Sequence, residues 1–174
     1  EKYGILMYHP VTTEYEIIGK HVEELVNAVK ESGRNYIVIY PNNDLGSEVI
    51  LNAYRTLEDE TRYRLYPSTR FEYFLTVSEL DGEVVGLDGF SIYNMLKEYK
   101  NQNILSLTLL KNADFMIGNS SAGVRETSIY GIPAIDVGTR QKGRYSTEYS
   151  QNIQHVSEDK DEILQCFPSY PECH

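Results

Sequence analysis

The sequence predicts an α/β fold, a Rossmann-like parallel sheet with helices on both faces. Two observations carry this. Short runs of β-forming residues alternate with longer segments in which apolar residues recur every three or four positions, the rhythm of β-α units. The short runs are nearly continuous in apolar residues rather than alternating, as expected when helices cover both faces of a sheet. The chain has 174 residues, one domain's worth, so residues 1–174 are expected to form a single unit.

Taken in order, Tyr3 to His9 reads as the first strand. After the loop Pro10-Val11-Thr12-Thr13, Ile18, Val22, Leu25 and Val29 mark one buried helical face, and Gly33 supplies a stop. Tyr36 to Tyr40 is the second strand, ending at Pro41-Asn42-Asn43-Asp44, and a helix from about Ser47 to Glu58 follows. Tyr63 to Tyr66 is a short strand broken by Pro67. Phe115 to Gly118 is a strand running into Asn119-Ser120-Ser121-Ala122-Gly123, with a helix over Val124 to Tyr130. Ile132 to Val137 is a strand with Pro133 at its entry, where no ladder donor is lost. Asn152 to Val156 and a helix from about Ser157 to Cys166 close the chain.

Residues 77 to 108 break this rhythm. If they are removed, Phe71 to Thr76 runs straight into Leu109 to Ala113, placing Phe71, Phe74, Leu75 and Leu110 on one helical face. The expectation is an insertion at about 77–108, with Asp-Gly turns at Asp81-Gly82 and Asp88-Gly89 and a short amphipathic helix from Ser91. The competing reading is a complete helix from Phe71 to Leu80 followed by an extra hairpin and helix.

Charge and composition exclude several classes of function. Lys plus Arg is 16 and Asp plus Glu is 26, a formal net charge of −10, which argues against a groove for nucleic acid. No run approaches the roughly 20 apolar residues of a membrane helix, so no membrane partner is expected. The chain begins at Glu1 without a signal-peptide pattern and enters a strand within a few residues, which reads as a piece of a longer, cytoplasmic protein. Cys166 and Cys173 lie apart from every histidine except His174, so free thiols are expected and no metal site.

In an open parallel sheet the loops at the carboxyl ends of the strands carry the chemistry. Four of them are polar. Asn119 to Gly123 feeds two hydroxyls, Ser120 and Ser121, and a glycine, Gly123, into a helix start, an arrangement that suits a phosphate. Glu126 follows one turn later, where a carboxylate meets a ribose diol. The same residues suit a plain helix cap by Ser120 or Ser121 with Glu126 as a first-turn acid. Arg140, Lys142 and Arg144 crowd one loop of an acidic chain, either as counter-charge for an anion or as a solvated surface. His9 ends the first strand, held by Pro10, and suits either a phosphate donor and proton shuttle or a structural loop histidine. Gly-x-Gly-x-x-Gly, P-loop and nucleophile-elbow motifs are missing, and no acidic pair closes the first strand as in a receiver domain.

The motifs His9-Pro10-Val11-Thr12-Thr13-Glu14, Tyr40-Pro41-Asn42 with Asp44-x-Gly46-Ser47, Lys111 to Glu126 and Gly138-Thr139-Arg140-Gln141-x-Gly143-Arg144 together resemble the C-terminal half of the UDP-N-acetylglucosamine 2-epimerase family. The His-Pro-Val-Thr-Thr and Gly-Thr-Arg-Gln versions resemble its hydrolysing branch, in sialic-acid and related biosynthesis, which converts UDP-GlcNAc and water to N-acetylmannosamine and UDP. The resemblance implies the nucleotide-binding half of a glycosyltransferase-B type fold, with no metal and no redox cofactor. It implies that Ser120, Ser121 and Gly123 cradle the diphosphate and that Glu126 binds the ribose. Asn42 would line the nucleotide pocket, Phe71 would pack on the uracil, and Arg140 and Gln141 would face sugar or phosphate. His9 would act at the reacting centre. The family's catalytic carboxylates belong to an N-terminal domain outside this chain, so the implied partners are a UDP-sugar and that domain, and the piece alone is expected to be inactive. The full-length form can self-associate, since the family often dimerises through its N-terminal half. The inserted segment departs from the family pattern and puts Phe71 in question. Two other readings stay open: the donor-nucleotide domain of a glycosyltransferase, and a non-catalytic interaction module.

Overall fold

A computed structural model describes residues 2–58, 60–66, 110–146 and 148–168 of the chain. Phe71 and the insertion expected at 77–108 lie outside the described residues. Six strands, β1 (Gly4–Met7), β2 (Tyr36–Ile39), β3 (Tyr63–Tyr66), β4 (Phe115–Gly118), β5 (Ala134–Val137) and β6 (Ile153–Val156), form one sheet. Every pairing is parallel, in the order β3-β2-β1-β4-β5-β6. This is the expected fold class.

The register explains the near-continuous apolar runs. Leu6 of β1, Tyr36 and Val38 of β2, Phe115 and Ile117 of β4, and Ile135 and Val137 of β5 point to one face. Their neighbours Ile5, Met7, Ile39 and Met116 point to the other. Helix α1 (Ile18–Glu31) covers the first face with Ile18, Val22, Leu25, Val26, Ala28 and Val29. Helix α2 (Ser47–Arg55) adds Ile50 and Tyr54, and the C-terminal helix, Lys160–Gln165, adds Ile163. On the second face Leu110 and Ala113 pack with Tyr130, which ends a short helix, Glu126–Tyr130. Numbered in chain order, that short helix is α3 and the C-terminal one α4.

The elements differ from expectation where local hydrogen bonds compete with a helix. A 3₁₀ turn over Thr12–Ile17 precedes α1 and is kinked at Glu14. The helix expected over Val124 to Tyr130 is instead a 3₁₀ turn, Ser121–Gly123, followed by α3 from Glu126. There the Ser121 carbonyl accepts from both Val124 and Arg125, which tightens the chain before α3 can begin. Helix α4 starts later than expected because the Asp159 carboxylate caps it by accepting from the Glu162 N–H at 2.9 Å. Among the described residues no helix is long and apolar enough to cross a membrane.

At the carboxyl end of β4 the backbone leaves no room for a side chain. Gly118 has φ +134°, and a Cβ there would lie 1.9 Å from the Met7 carbonyl oxygen of β1. Gly118→Ala is therefore expected to destabilise the chain by about 3 kcal/mol or more, through backbone strain and a clash with no side chain to move aside. Urea denaturation of the two proteins measures the difference; a loss below about 1 kcal/mol would mean that the strands separate there at little cost.

Candidate functional site

The strand order puts β1 and β4 side by side, with the chain running on to β2 and β3 on one hand and to β5 and β6 on the other. Such a reversal opens a crevice at the carboxyl ends of the two central strands. The residues that follow the strands there are Tyr8 and His9 after β1, Asn42 after β2, Asn119 after β4 and 138–141 after β5.

Asn119 joins them. Its backbone N–H donates to the Met7 carbonyl at 3.1 Å, extending the sheet by one bond. Its side-chain Oδ1 accepts from the His9 N–H at 2.7 Å, and its Nδ2 donates to the His9 carbonyl at 2.8 Å. Its own carbonyl accepts from Arg140 Nη1 at 3.1 Å and from Gln141 Nε2 at 2.9 Å. Asn119 is 1% exposed, and burying an amide costs about 1–3 kcal/mol for each group left unmet, so these bonds are what permit the burial.

His9 is oriented from a second direction. The Asn42 N–H donates to His9 Nδ1 at 3.1 Å, so a neutral His9 carries its proton on Nε2. Burial first, and the positive Arg140 second, lower the His9 pKa to about 4, against a weaker opposing pull from Asp44. At neutral pH the ring is an uncharged donor. Arg140 is half-buried, and burial and the neighbouring Arg144 lower its pKa, which leaves a cation whose charge is less well hydrated than usual.

Asn42 is held by its own loop. Its Nδ2 donates to Asp44, and its carbonyl accepts from Ser47 Oγ at the start of α2. Its Oδ1 is buried and has no donor among the described residues. Gln141, fully buried, likewise uses its Nε2 and leaves Oε1 without a donor. The structure thus brings together His9, Asn42, Arg140 and Gln141 of the residues read from the sequence. Arg140 and Gln141 turn donors onto the Asn119 carbonyl.

The Ser120 to Glu126 stretch continues from Asn119. Ser120 is the cap read from the sequence, its Oγ accepting from the Ala122 N–H at 3.3 Å. Ser121, half-buried beside it, makes no side-chain hydrogen bond among the described residues. Gly123 has ordinary backbone geometry, and a Cβ there would meet nothing nearer than Met116 Sδ at 3.8 Å, so packing within the chain does not demand a glycine. Glu126 opens α3 half-buried, with Oε2 shielded from water and without a donor among the described residues. α3 runs only from Glu126 to Tyr130, so its dipole is short. Phe71 lies outside the described residues.

Sequence reasoning assigned no separate role to the Asn119 side chain or to Asp44. The available signal for Asn119 was its position directly after a buried strand, where a polar residue needs a partner.

A family model described as UDP-N-acetylglucosamine 2-epimerase matches residues 88–170. The chain is 41% identical over 145 residues to the UDP-N-acetylglucosamine 2-epimerase of Neisseria meningitidis serogroup B, covering 83% of this chain and 30% of that protein. It is 26% identical over 164 residues to the hydrolysing UDP-N,N'-diacetylbacillosamine 2-epimerase of Legionella pneumophila, covering 94% of this chain and 34% of that protein. The chain therefore spans about a third of the length of these curated relatives. Among solved structures, the Methanocaldococcus jannaschii UDP-GlcNAc 2-epimerase in complex with UDP-GlcNAc and UDP is similar with a TM-score of 0.60 at 13% identity, over 95% of this chain and 37% of that one. At that identity the likeness speaks for the fold.

The lowered His9 pKa makes stability depend on pH. Between about 4 and 6.5 the unfolded chain binds more protons at this residue than the folded one, so the His9 contribution is complete above 6.5 and is lost as pH falls toward 4. It amounts to about 3 kcal/mol at most. Urea melts at pH 7 and pH 4.5 should show a smaller loss for His9→Gln than for the parent chain; equal losses would mean that His9 is not held neutral.

Proposed function

This chain belongs to the UDP-N-acetylglucosamine 2-epimerase family, and from that premise we propose that it is the UDP-holding, C-terminal domain of a hydrolysing member, acting on UDP-GlcNAc or a close relative. The observation that carries the reading is the junction at Asn119, where a neutral histidine, a half-buried arginine and a loop of small hydroxyl residues converge on one strand end. Ser121 and Gly123 offer an unengaged hydroxyl and an approach free of side chain. Glu126 offers a shielded carboxylate oxygen without a donor, fitted to accept from a ribose diol.

In the proposed reaction the bond from the anomeric carbon to the diphosphate oxygen breaks, its electron pair leaving with UDP, while the proton on the neighbouring carbon is removed. Water then adds across the resulting double bond, returning hydroxyl to the anomeric carbon and a proton to its neighbour on the opposite face. This gives the 2-epimerised free sugar. Charge develops on the leaving diphosphate, and the contribution of this chain is to stabilise it with fixed donors. Arg140 supplies the positive charge and His9 Nε2–H a directed donor, both already oriented by Asn119 and Asn42 before substrate arrives. The groups that remove and return the carbon-bound proton would come from a second, N-terminal domain. Relatives about three times as long as this chain support that division.

Titration of this chain with UDP should raise its melting temperature, by the equivalent of about 2.7 kcal/mol when UDP reaches 100 times its dissociation constant, and Ser121→Ala should weaken the shift. A folded chain with no shift at millimolar UDP would refute the nucleotide role. Full-length protein given UDP-GlcNAc should release UDP and a 2-epimerised free sugar; a 2-epimerised UDP-sugar instead would place it in the non-hydrolysing branch.

A further inference from the structure

A second cluster shares no residue with the Asn119 junction and plays no part in the proposed reaction. We propose that Glu14, His21 and Glu158 form a binding site for one divalent transition cation of the zinc class.

The three come from separate elements: Glu14 from the kink of the 3₁₀ turn, His21 from the first turn of α1, and Glu158 from the loop between β6 and α4. One nitrogen and two carboxylate oxygens lie within 4.8 Å of one another. His21 Nδ1 faces both carboxylates, 3.5 Å from Glu158 Oε1 and 3.7 Å from Glu14 Oε2. Those separations are long for hydrogen bonds. They are close to the edge of a tetrahedron around zinc, about 3.3–3.6 Å for metal–ligand bonds of 2.0–2.2 Å.

The surroundings hold the ligand atoms in place. The Glu158 side chain is only 7% exposed, and its Oε1 accepts from the Tyr8 hydroxyl at 3.1 Å. The Glu158 carboxylate occupies space that exists because residue 138 is glycine: a Cβ at Gly138 would fall 2.0 Å from Glu158 Oε1. Thr139 Oγ1 donates to Glu14 Oε1, which aims the other oxygen, Oε2, at His21. That Oε2 is shielded from water and has no donor among the described residues. A buried carboxylate oxygen without a donor, beside a second carboxylate, calls for positive charge between them. The outer hydrogen bonds from Tyr8 and Thr139 are of the kind that orient metal ligands. One nitrogen and two oxygens, with the fourth position left to water, suit zinc, cobalt or nickel better than calcium or magnesium, which take six or more oxygens.

The test uses the whole chain with Cys166→Ser and Cys173→Ser, so that the thiols cannot compete, stripped by chelator and titrated with Co²⁺ and then Zn²⁺. The expected result is one Co²⁺ per chain with the visible bands of a tetrahedral site lacking sulfur, displacement by Zn²⁺, and a rise in melting temperature. His21→Gln and, separately, Glu14→Gln should each abolish the bands or weaken affinity at least tenfold, while the metal-free variants stay folded by circular dichroism. Thr139→Val should weaken it by the roughly 10–100-fold typical of an outer-shell partner. No saturable binding at micromolar metal, or binding that persists unchanged in both His21→Gln and Glu14→Gln, would overturn the proposal. The cluster would then be a packing contact of the His21 ring with two carboxylates.

Discussion

The left-handed backbone at Gly118, where β4 pairs with Met7 of β1, sets the geometry of the whole carboxyl edge. β4 passes the Met7 carbonyl of β1 at Gly118, where any Cβ would collide with it. That approach lets the next residue, Asn119, extend the ladder onto the same carbonyl and lay its amide along the backbone of His9. Arg140 and Gln141 then close onto the Asn119 carbonyl from the neighbouring strand. Sheet register is thereby converted into the positions of four polar side chains, with no need for a long loop to fold around a ligand.

The electrostatics follow from the same closeness. The chain carries a net charge of −10, yet burial and Arg140 keep His9 uncharged, and Arg140 itself sits half-buried. A compact anion at this edge meets one poorly hydrated cation and several neutral donors. A long polyanion would meet the acidic remainder of the surface, so the field favours small ligands.

How far this was legible varies with what each feature depends on. The six strands were legible because both faces are buried, leaving runs such as Tyr36-Ile37-Val38-Ile39 with no polar interruption. His9, Asn42, Arg140 and Gln141 were legible as a group because the carboxyl edge of a parallel sheet collects the loops that follow strands. The break before α3 was not, since it turns on one carbonyl, that of Ser121, accepting two N–H groups in a tightened turn. Nor was the Asn119 amide, whose partner lies 110 residues away in sequence. Glu14, His21 and Glu158 were equally hidden, because no spacing rule joins a 3₁₀ kink, a helix start and a loop that meet only after the sheet has formed.

The central pairing of β1 with β4 also bears on how the chain acquires its shape. Gly4 pairs with Tyr36 on one side but with Phe115 on the other, so one flank of β1 is satisfied by nearby sequence and the other waits for a strand more than a hundred residues on. Contacts of such separation are slow to form, since the loop entropy must be met before the pairing rewards it. During synthesis the β1–β3 half emerges before β4, with β1 as an open edge, a template for pairing with the wrong chain. Asn119 directly follows the strand that seals this edge, so the exposed intermediate ends and the polar loops at the carboxyl edge are ordered in the same step.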